Sequence, residues 1–304
     1  MTMEGRSYLT TQNQPFAFCT FDDDDVEGPV KGLCGYRMIS KHYKFYVDRE
    51  SSDEQLGVPD GVFNHGFPEC TPNIEYYSIK EYPLLDHALR CQLKLSWASP
   101  MFDPNTHLCI GVLEIASTVQ LKEFLFYKYL FCAVLRDCFE VVGLEFSRSD
   151  ADHVKERNVK RSESLDEINK VLEVVSEVHG LHFAQVWAPC KVDWRCRALV
   201  KGDIFHVILK FDEVICRKLI GMANVEQHLR KGQGVVGRAF YSPNVLLCKD
   251  VTQLSIIDYP LAHYARDNKL GACFAICLQS CCIGNDIYVL ECFMRPSMVI
   301  NRLD

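Results

Sequence analysis

No apolar run in this sequence is long enough to cross a bilayer. The longest, residues 124–135, is interrupted by Lys128 and falls well short of the about 20 residues a spanning helix needs. Met1 to Gln14 is polar and lacks the apolar core of a secretory signal. Positive charge is also scarce: 33 Lys and Arg stand against 40 Asp and Glu, giving a net charge of -7 and a pI near 5.8. An acidic surface repels phosphates, which argues against nucleic-acid binding by the chain as a whole unless one face is locally basic. The chemistry-bearing motifs are missing as well. There is no Gly-x-Ser-x-Gly elbow, no His-Glu-x-x-His helix, no Cys-x-x-Cys pair and no Cys-His dipeptide of the kind bilin attachment uses.

Cysteine, in contrast, is abundant, at 16 residues. Most lie inside apolar runs such as Phe131-Cys132-Ala133 and Ala275-Ile276-Cys277-Leu278. Buried reduced thiols behave in this way, as small hydrophobes, and they point to a reducing compartment. The spacings of Cys190 and Cys196, and of Cys273, Cys277 and Cys281, are too loose for a metal site and fit core thiols better. An enzyme reading would require a reactive cysteine of lowered pKa. Nothing else in the sequence supplies a catalytic group, and no motif requires a cofactor or a metal.

The most informative feature is an internal repeat. Moved by 177 positions, the sequence matches itself without a gap. Gly57-Val58 meets Gly234-Val235, Phe63 meets Phe240, and Ser78-Ile79 meets Ser255-Ile256. Tyr82-Pro83-Leu84 meets Tyr259-Pro260-Leu261, Ala88 meets Ala265, and Val112-Leu113-Glu114 meets Val289-Leu290-Glu291. A period this long indicates a duplicated domain, not a solenoid.

Each copy predicts the same elements. A Gly-Val loop leads into a short helix ending near the aromatic. A second short helix follows Tyr-Pro, over 84–90 and 261–267. A hairpin closes the repeat, with strands over 92–98 and 107–115, and over 271–278 and 287–293. Ser147 to Glu163 is rich in charge and reads as a linker. A capping box at Ser164 and Glu167 opens a helix that Gly180 stops, and a strand follows over 183–188. The apolar segment 119–142 reads as a closing helix of the first domain, and the second copy has no counterpart to it. The expectation is an α+β fold of two tandem domains, 1–146 and 164–304, each an antiparallel sheet with helices on one face.

Several stretches together resemble the N-terminal region of plant NIN-like proteins, a family of nitrate-responsive RWP-RK transcription factors. They are Leu9-Thr-Thr-x-x-Gln-Pro-Phe16, Leu56-Gly-Val-Pro-Asp-Gly-Val-Phe63, Pro68-Glu-Cys-Thr-Pro72, Ala184-Gln-Val-Trp-Ala-Pro-Cys190, Lys231-Gly-Gln-Gly-Val-Val-Gly-Arg-Ala-Phe240 and Asp258-Tyr-Pro-Leu-Ala-His-Tyr-Ala265. The resemblance implies tandem GAF-like domains with a regulatory role in transcription, in nucleus and cytoplasm. It implies nitrate or another small anion as ligand and full-length family members as protein partners. The family continues into an Arg-Trp-Pro-Arg-Lys DNA-binding domain, and that string is absent here. The expectation is therefore a regulatory region that does not itself bind DNA.

The resemblance implies Trp187 as one wall of the anion pocket, with the alternative that it is a core tryptophan. Leu199 and His206 are the candidates for the next pocket positions, and Phe211 falls where the family has a tyrosine. Phe lacks that hydroxyl, which favours the alternative reading of a ligand-free interaction module. Nitrate is planar and weakly hydrated, so its pocket needs a few N–H or O–H donors on an apolar wall. Lys231 to Arg238 lacks both the Walker ending and the Rossmann spacing, and reads as a structural loop. His263 and Tyr264 follow Tyr-Pro, where they could cap the pocket, but His263 reads better as a satisfied surface residue. Arg37-Met-Ile-Ser40 has the spacing of a basophilic kinase site at Ser40, and Asp22 to Asp25 reads as a solvated acidic loop.

Overall fold

A computed structural model of the chain describes residues 2–3, 6–18, 27–48, 57–106, 108–119, 145–146, 181, 183–189, 204–212, 228–241, 245–279 and 287–294. It also describes six helical positions between 168 and 178. The chain divides into two compact units, Met1–Ser147 and Arg148–Asp304. The expected linker 147–163, closing helix 119–142 and acidic run 22–25 lie essentially outside the described residues. No helix among the described residues is long and apolar enough to cross a membrane.

The first unit begins with the short strands β1 (Thr2–Met3) and β2 (Arg6–Leu9), then helix α1 (Glu27–Ser40) and strand β3 (Phe45–Tyr46). Helix α2 (Val58–His65) starts at Gly57 with Pro59 in its first turn. It stops at Gly66, whose φ of 71° is the left-handed conformation of a helix C-cap. Strand β4 (Glu69–Thr71), a 3-10 turn (Ile74–Tyr76) and helix α3 (Leu85–Arg90) lead into the hairpin of β5 (Leu95–Phe102) and β6 (Cys109–Ser117). Strand β7 (Glu145–Phe146) joins the end of β5, opposite Met101 and Phe102.

The second unit begins differently but follows the same order of elements from its first described complete helix onward. Strand β8 (Phe183–Pro189), β9 (Ile204–Asp212) and β10 (Leu229–Arg230) precede α4 (Gly234–Tyr241) and β11 (Leu246–Cys248). A 3-10 turn (Val251–Gln253), α5 (Ala262–Asp267), β12 (Cys273–Gln279) and β13 (Ile287–Phe293) follow. The offset of 177 seen in the sequence carries β4 onto β11, the first 3-10 turn onto the second and α3 onto α5, residue for residue. Even the strained positions correspond, Gln92 at φ 61° and Lys269 at φ 54°.

All pairings in the six-stranded sheet of the second unit are antiparallel, in the order β10-β9-β8-β13-β12-β11. Its strands alternate between two covered faces. On one face Ala184, Val186, Ala188, Tyr288, Leu290 and Cys292 pack with Leu172 and Leu181, and with the helical positions Ile168 and Val175. On the other, Phe183, Trp187, Phe293, Cys273 and Ala275 are buried beneath α4 and the segment around Tyr259. Helices thus cover both faces, not one as the hydrophobic pattern suggested. The near-unbroken burial of β8 is the mark of a strand covered on both sides.

Candidate functional site

Glu291 sits in the middle of this sheet with no exposure to solvent. It lies on β13, directly opposite Gln185 on β8, while Trp187 lies opposite Val289 one pair further along the same face. The Gln185 amide donates to Glu291 Oε2 at 2.7 Å and the Trp187 indole N–H to the same oxygen at 2.8 Å. The Tyr259 hydroxyl donates to Oε1 at 3.1 Å. A planar oxygen pair is therefore held by an indole, an amide and a phenol in an otherwise apolar layer. Burial pushes the Glu291 carboxyl up from 4.5 to about 7, and the three donors hold it from rising further. Tyr259 is raised well above its ordinary value, first by burial and then by the Glu291 charge.

The loop before α4 fixes Tyr259 in this position. Gly234 has a φ of 62°, and a Cβ there would stand 2.8 Å from the Tyr259 ring. Its N–H donates to the Asp258 carbonyl at 2.7 Å. Gly232, at φ 85°, turns the chain just before it. The Lys231–Arg238 segment thus positions the tyrosine through its backbone, in keeping with a structural loop.

The first unit carries the same pair at the offset of 177. Glu114 on β6 is half-buried, its carboxyl is raised by desolvation, and the Tyr36 hydroxyl donates to its Oε1 at 3.2 Å. Tyr82 hydrogen-bonds to Tyr36. So Glu114 and Tyr82 stand where Glu291 and Tyr259 stand, but with a second phenol in place of the indole and the amide.

Beside Glu291 the second unit places two thiols. Cys248 on β11 faces Cys273 on β12. The neighbouring Cys273 thiol, with a backbone N–H at Asp250 and the Arg238 charge, lowers the Cys248 thiol to about 6. Cys273 is correspondingly raised well above its ordinary value, by the neighbouring Cys248 and by burial. Sequence reading did not single out Cys248. Its partner lies on another strand, and only the repeat offset, which aligns the pair with Thr71 and Ser96, marks the two positions as neighbours.

The other residues expected at a site are placed as follows. Trp187 is fully buried. Leu199 lies outside the described residues. The β8–β9 register sets His206 opposite Ala188 and Phe211 opposite Ala184, in rows that alternate with that of Trp187, which is shared by Val207. Ser40 ends α1, 4% exposed, with its hydroxyl donating to the Arg37 carbonyl at 3.2 Å. Arg37 is itself engaged by the Thr11 and Gln14 carbonyls at 2.7 and 2.9 Å. His263, expected at the surface, is fully buried because α5 turns it inward with Tyr264 and Ala265. Among the described residues no three His, Cys, Asp or Glu side chains converge on a metal position.

An antiparallel sheet covered on both faces by helices, with a closed polar cluster at its centre, places the second unit among GAF-like domains. Residues 155–302 match the family described as the NLP protein GAF domain. The chain is 38% identical over 97% of its length to Protein NLP6 of Arabidopsis thaliana, and covers 35% of that protein. It is likewise 38% identical over 96% of its length to Protein NLP3 of Oryza sativa subsp. japonica, covering 32% of it. Among solved structures, a Staphylococcus aureus NreA protein mutated in its nitrate binding site matches 44% of this chain and 88% of its own, at 17% identity and a TM-score of 0.32. The sequence is that of a plant NIN-like protein N-terminal region. It spans about a third of the length of the relatives it matches.

Proposed function

We propose that this chain is the regulatory, non-enzymatic region of a NIN-like transcription factor, that its two units arose by duplication, and that the second unit senses a small planar anion in nitrate-responsive transcription in nucleus and cytoplasm. The observation that supports this reading is the donor set around Glu291. Trp187, Gln185 and Tyr259 converge on a planar oxygen pair. A nitrate ion offers the same kind of acceptor, flat and oxygen-edged, to the same donors. In the free chain the carboxylate of Glu291 fills that role. Nitrate takes it over only when Glu291 is protonated or withdrawn, since two buried anions repel.

Titration calorimetry with nitrate, and chloride as control, tests the reading at pH 6 and pH 8. Saturable nitrate heat at pH 6 that weakens at pH 8, and becomes independent of pH in Glu291→Gln, is the expected result. Trp187→Ala should abolish the heat. Absence of nitrate heat at both pH values in the folded wild-type chain overturns the sensor reading.

The second reading is a ligand-free interaction module that pairs with full-length relatives. Two observations favour it: the donors are already engaged by Glu291, and Val245 and Leu247 at the outer edge strand β11 are each 64% exposed. Co-elution with a full-length relative, lost on Leu247→Lys, distinguishes it.

A further inference from the structure

We propose that Cys248 and Cys273 form a reversible disulfide across β11 and β12, making the second unit a site of oxidation by hydrogen peroxide. The two residues are direct partners in the antiparallel register, which sets their side chains next to each other on one face of the sheet. Directly opposed residues have Cβ atoms about 4.5–5.5 Å apart. A disulfide asks for about 3.5–4.5 Å, so closure needs a small movement of an edge strand. β11 is that edge, paired among the described residues with β12 alone and packed against α4.

The two thiols differ in the way the chemistry requires. Cys248 is partly exposed on the edge strand, and Cys273 is fully buried behind it. The neighbouring Cys273 thiol and the Arg238 charge favour a thiolate at Cys248. That thiolate attacks one oxygen of hydrogen peroxide and the O–O bond breaks. Hydroxide leaves and takes a proton to become water, and Cys248 becomes the sulfenic acid. The Cys273 sulfur then attacks the Cys248 sulfur. The S–S bond forms, the S–O bond breaks, and the departing hydroxyl leaves as water with the Cys273 proton. In sum, two thiols and one hydrogen peroxide give one disulfide and two waters. A dithiol reductant reverses the bond by thiol exchange.

The chain contains its own control. In the first unit the same register places Thr71 opposite Ser96, exactly 177 positions earlier, so that fold holds two hydroxyls where the second holds two thiols. The double variant Cys248→Thr, Cys273→Ser therefore installs residues that this architecture already accommodates. Cys273 also lies against Glu291 and Tyr259, so the cross-link touches the cluster that holds Trp187. The inference does not depend on an anion being sensed there.

The test is differential alkylation of the whole chain before and after hydrogen peroxide, read by peptide mass spectrometry. Before oxidation, Cys248 should alkylate at pH 7 roughly three- to tenfold faster than Cys109 or Cys277, the larger thiolate fraction outweighing its lower intrinsic nucleophilicity. After peroxide, the peptides of Cys248 and Cys273 should appear linked, and dithiothreitol should release both thiols. In Cys273→Ser the oxidation should stop at a sulfenic acid on Cys248, trapped by dimedone. The double variant should consume peroxide no faster than its remaining thiols do. The proposal is overturned if Cys248 proceeds to sulfinic acid while Cys273 stays alkylatable, or if other cysteine pairs cross-link first.

Discussion

The indole N–H of Trp187 donates to Glu291 at 2.8 Å across two neighbouring strands, although the residues are 104 apart in sequence. Trp187 is both the largest fully buried side chain among the described residues and a partner of a fully buried carboxylate. Its removal therefore has two costs that can be separated. Trp187→Phe keeps most of the packing but strips one donor from Glu291, and should cost about 1–3 kcal/mol. Trp187→Ala also opens a cavity and should cost about 3–5 kcal/mol. Urea unfolding at neutral pH measures both, and equal losses in the two variants would remove the indole hydrogen bond from the account.

Glu291 also predicts a pH dependence of stability. Its carboxyl titrates near 7 in the fold, against 4.5 for an exposed glutamate. Between those values the folded state binds more protons than the unfolded one, so stability falls as pH rises through this window. The difference is about 3 kcal/mol, fully present as a destabilisation above the folded value and relieved below the unfolded one. Gln185, Trp187, Tyr259 and Cys248 are the polar groups that bear on it. Wild type should gain stability on going from pH 8 to pH 5 relative to Glu291→Gln. Parallel curves for the two proteins would place the Glu291 titration elsewhere.

Much of the scaffold was legible because the repeat carried its own register. The helices after Tyr-Pro were expected over 84–90 and 261–267 and are found at Leu85–Arg90 and Ala262–Asp267. β13 lies exactly over 287–293, and the strand expected over 183–188 runs one residue further, to Pro189. The hairpin strand expected over 92–98 instead runs from Leu95 to Phe102. Gln92 takes a left-handed φ of 61°, which its type does not announce, and delays the strand. Pro100 does not end it either. It falls between the reach of β4, which pairs up to Ala98, and that of β7, which begins at Met101, so its missing N–H costs no bond on that side. The site was less legible. Tyr82, Glu114, Tyr259 and Glu291 all lay in the repeated motifs, but only as signs of duplication. Trp187 was grouped with residues that follow it in sequence, whereas its nearest polar partner comes from β13, beyond α4 and α5.

The glycines before and within α4 make a contrast that tests the loop. At Gly232 an added Cβ meets nothing within 4 Å, so Gly232→Ala bears only the left-handed backbone cost of about 1–2 kcal/mol. At Gly237 a Cβ would stand 2.2 Å from the Arg230 carbonyl oxygen and 3.0 Å from the Gly232 nitrogen, both backbone atoms that cannot rotate away. Gly237→Ala should therefore be the more damaging of the two, though its φ is ordinary, and should separate α4 from the turn before it. Thermal melts that rank the two variants the other way would show that the turn gives way more easily than the structure implies.

At Ser40 the sequence context and the placement of the hydroxyl disagree. Arg37 has the spacing a basophilic kinase reads, yet its guanidinium is engaged by the Thr11 and Gln14 carbonyls and lies 4.8 Å from the Phe16 ring. Ser40 is 4% exposed, with Thr11 Oγ1 at 3.4 Å. A kinase needs the serine in an extended, accessible backbone, and here it closes a helix. A phosphate at this position would bring close to two negative charges into a space shared with Thr11. A synthetic peptide of residues 31–46 should be phosphorylated by a basophilic kinase, while the folded chain should react at least tenfold more slowly. Equal rates would mean that the end of α1 opens readily, and would return Ser40 to the candidate modification sites.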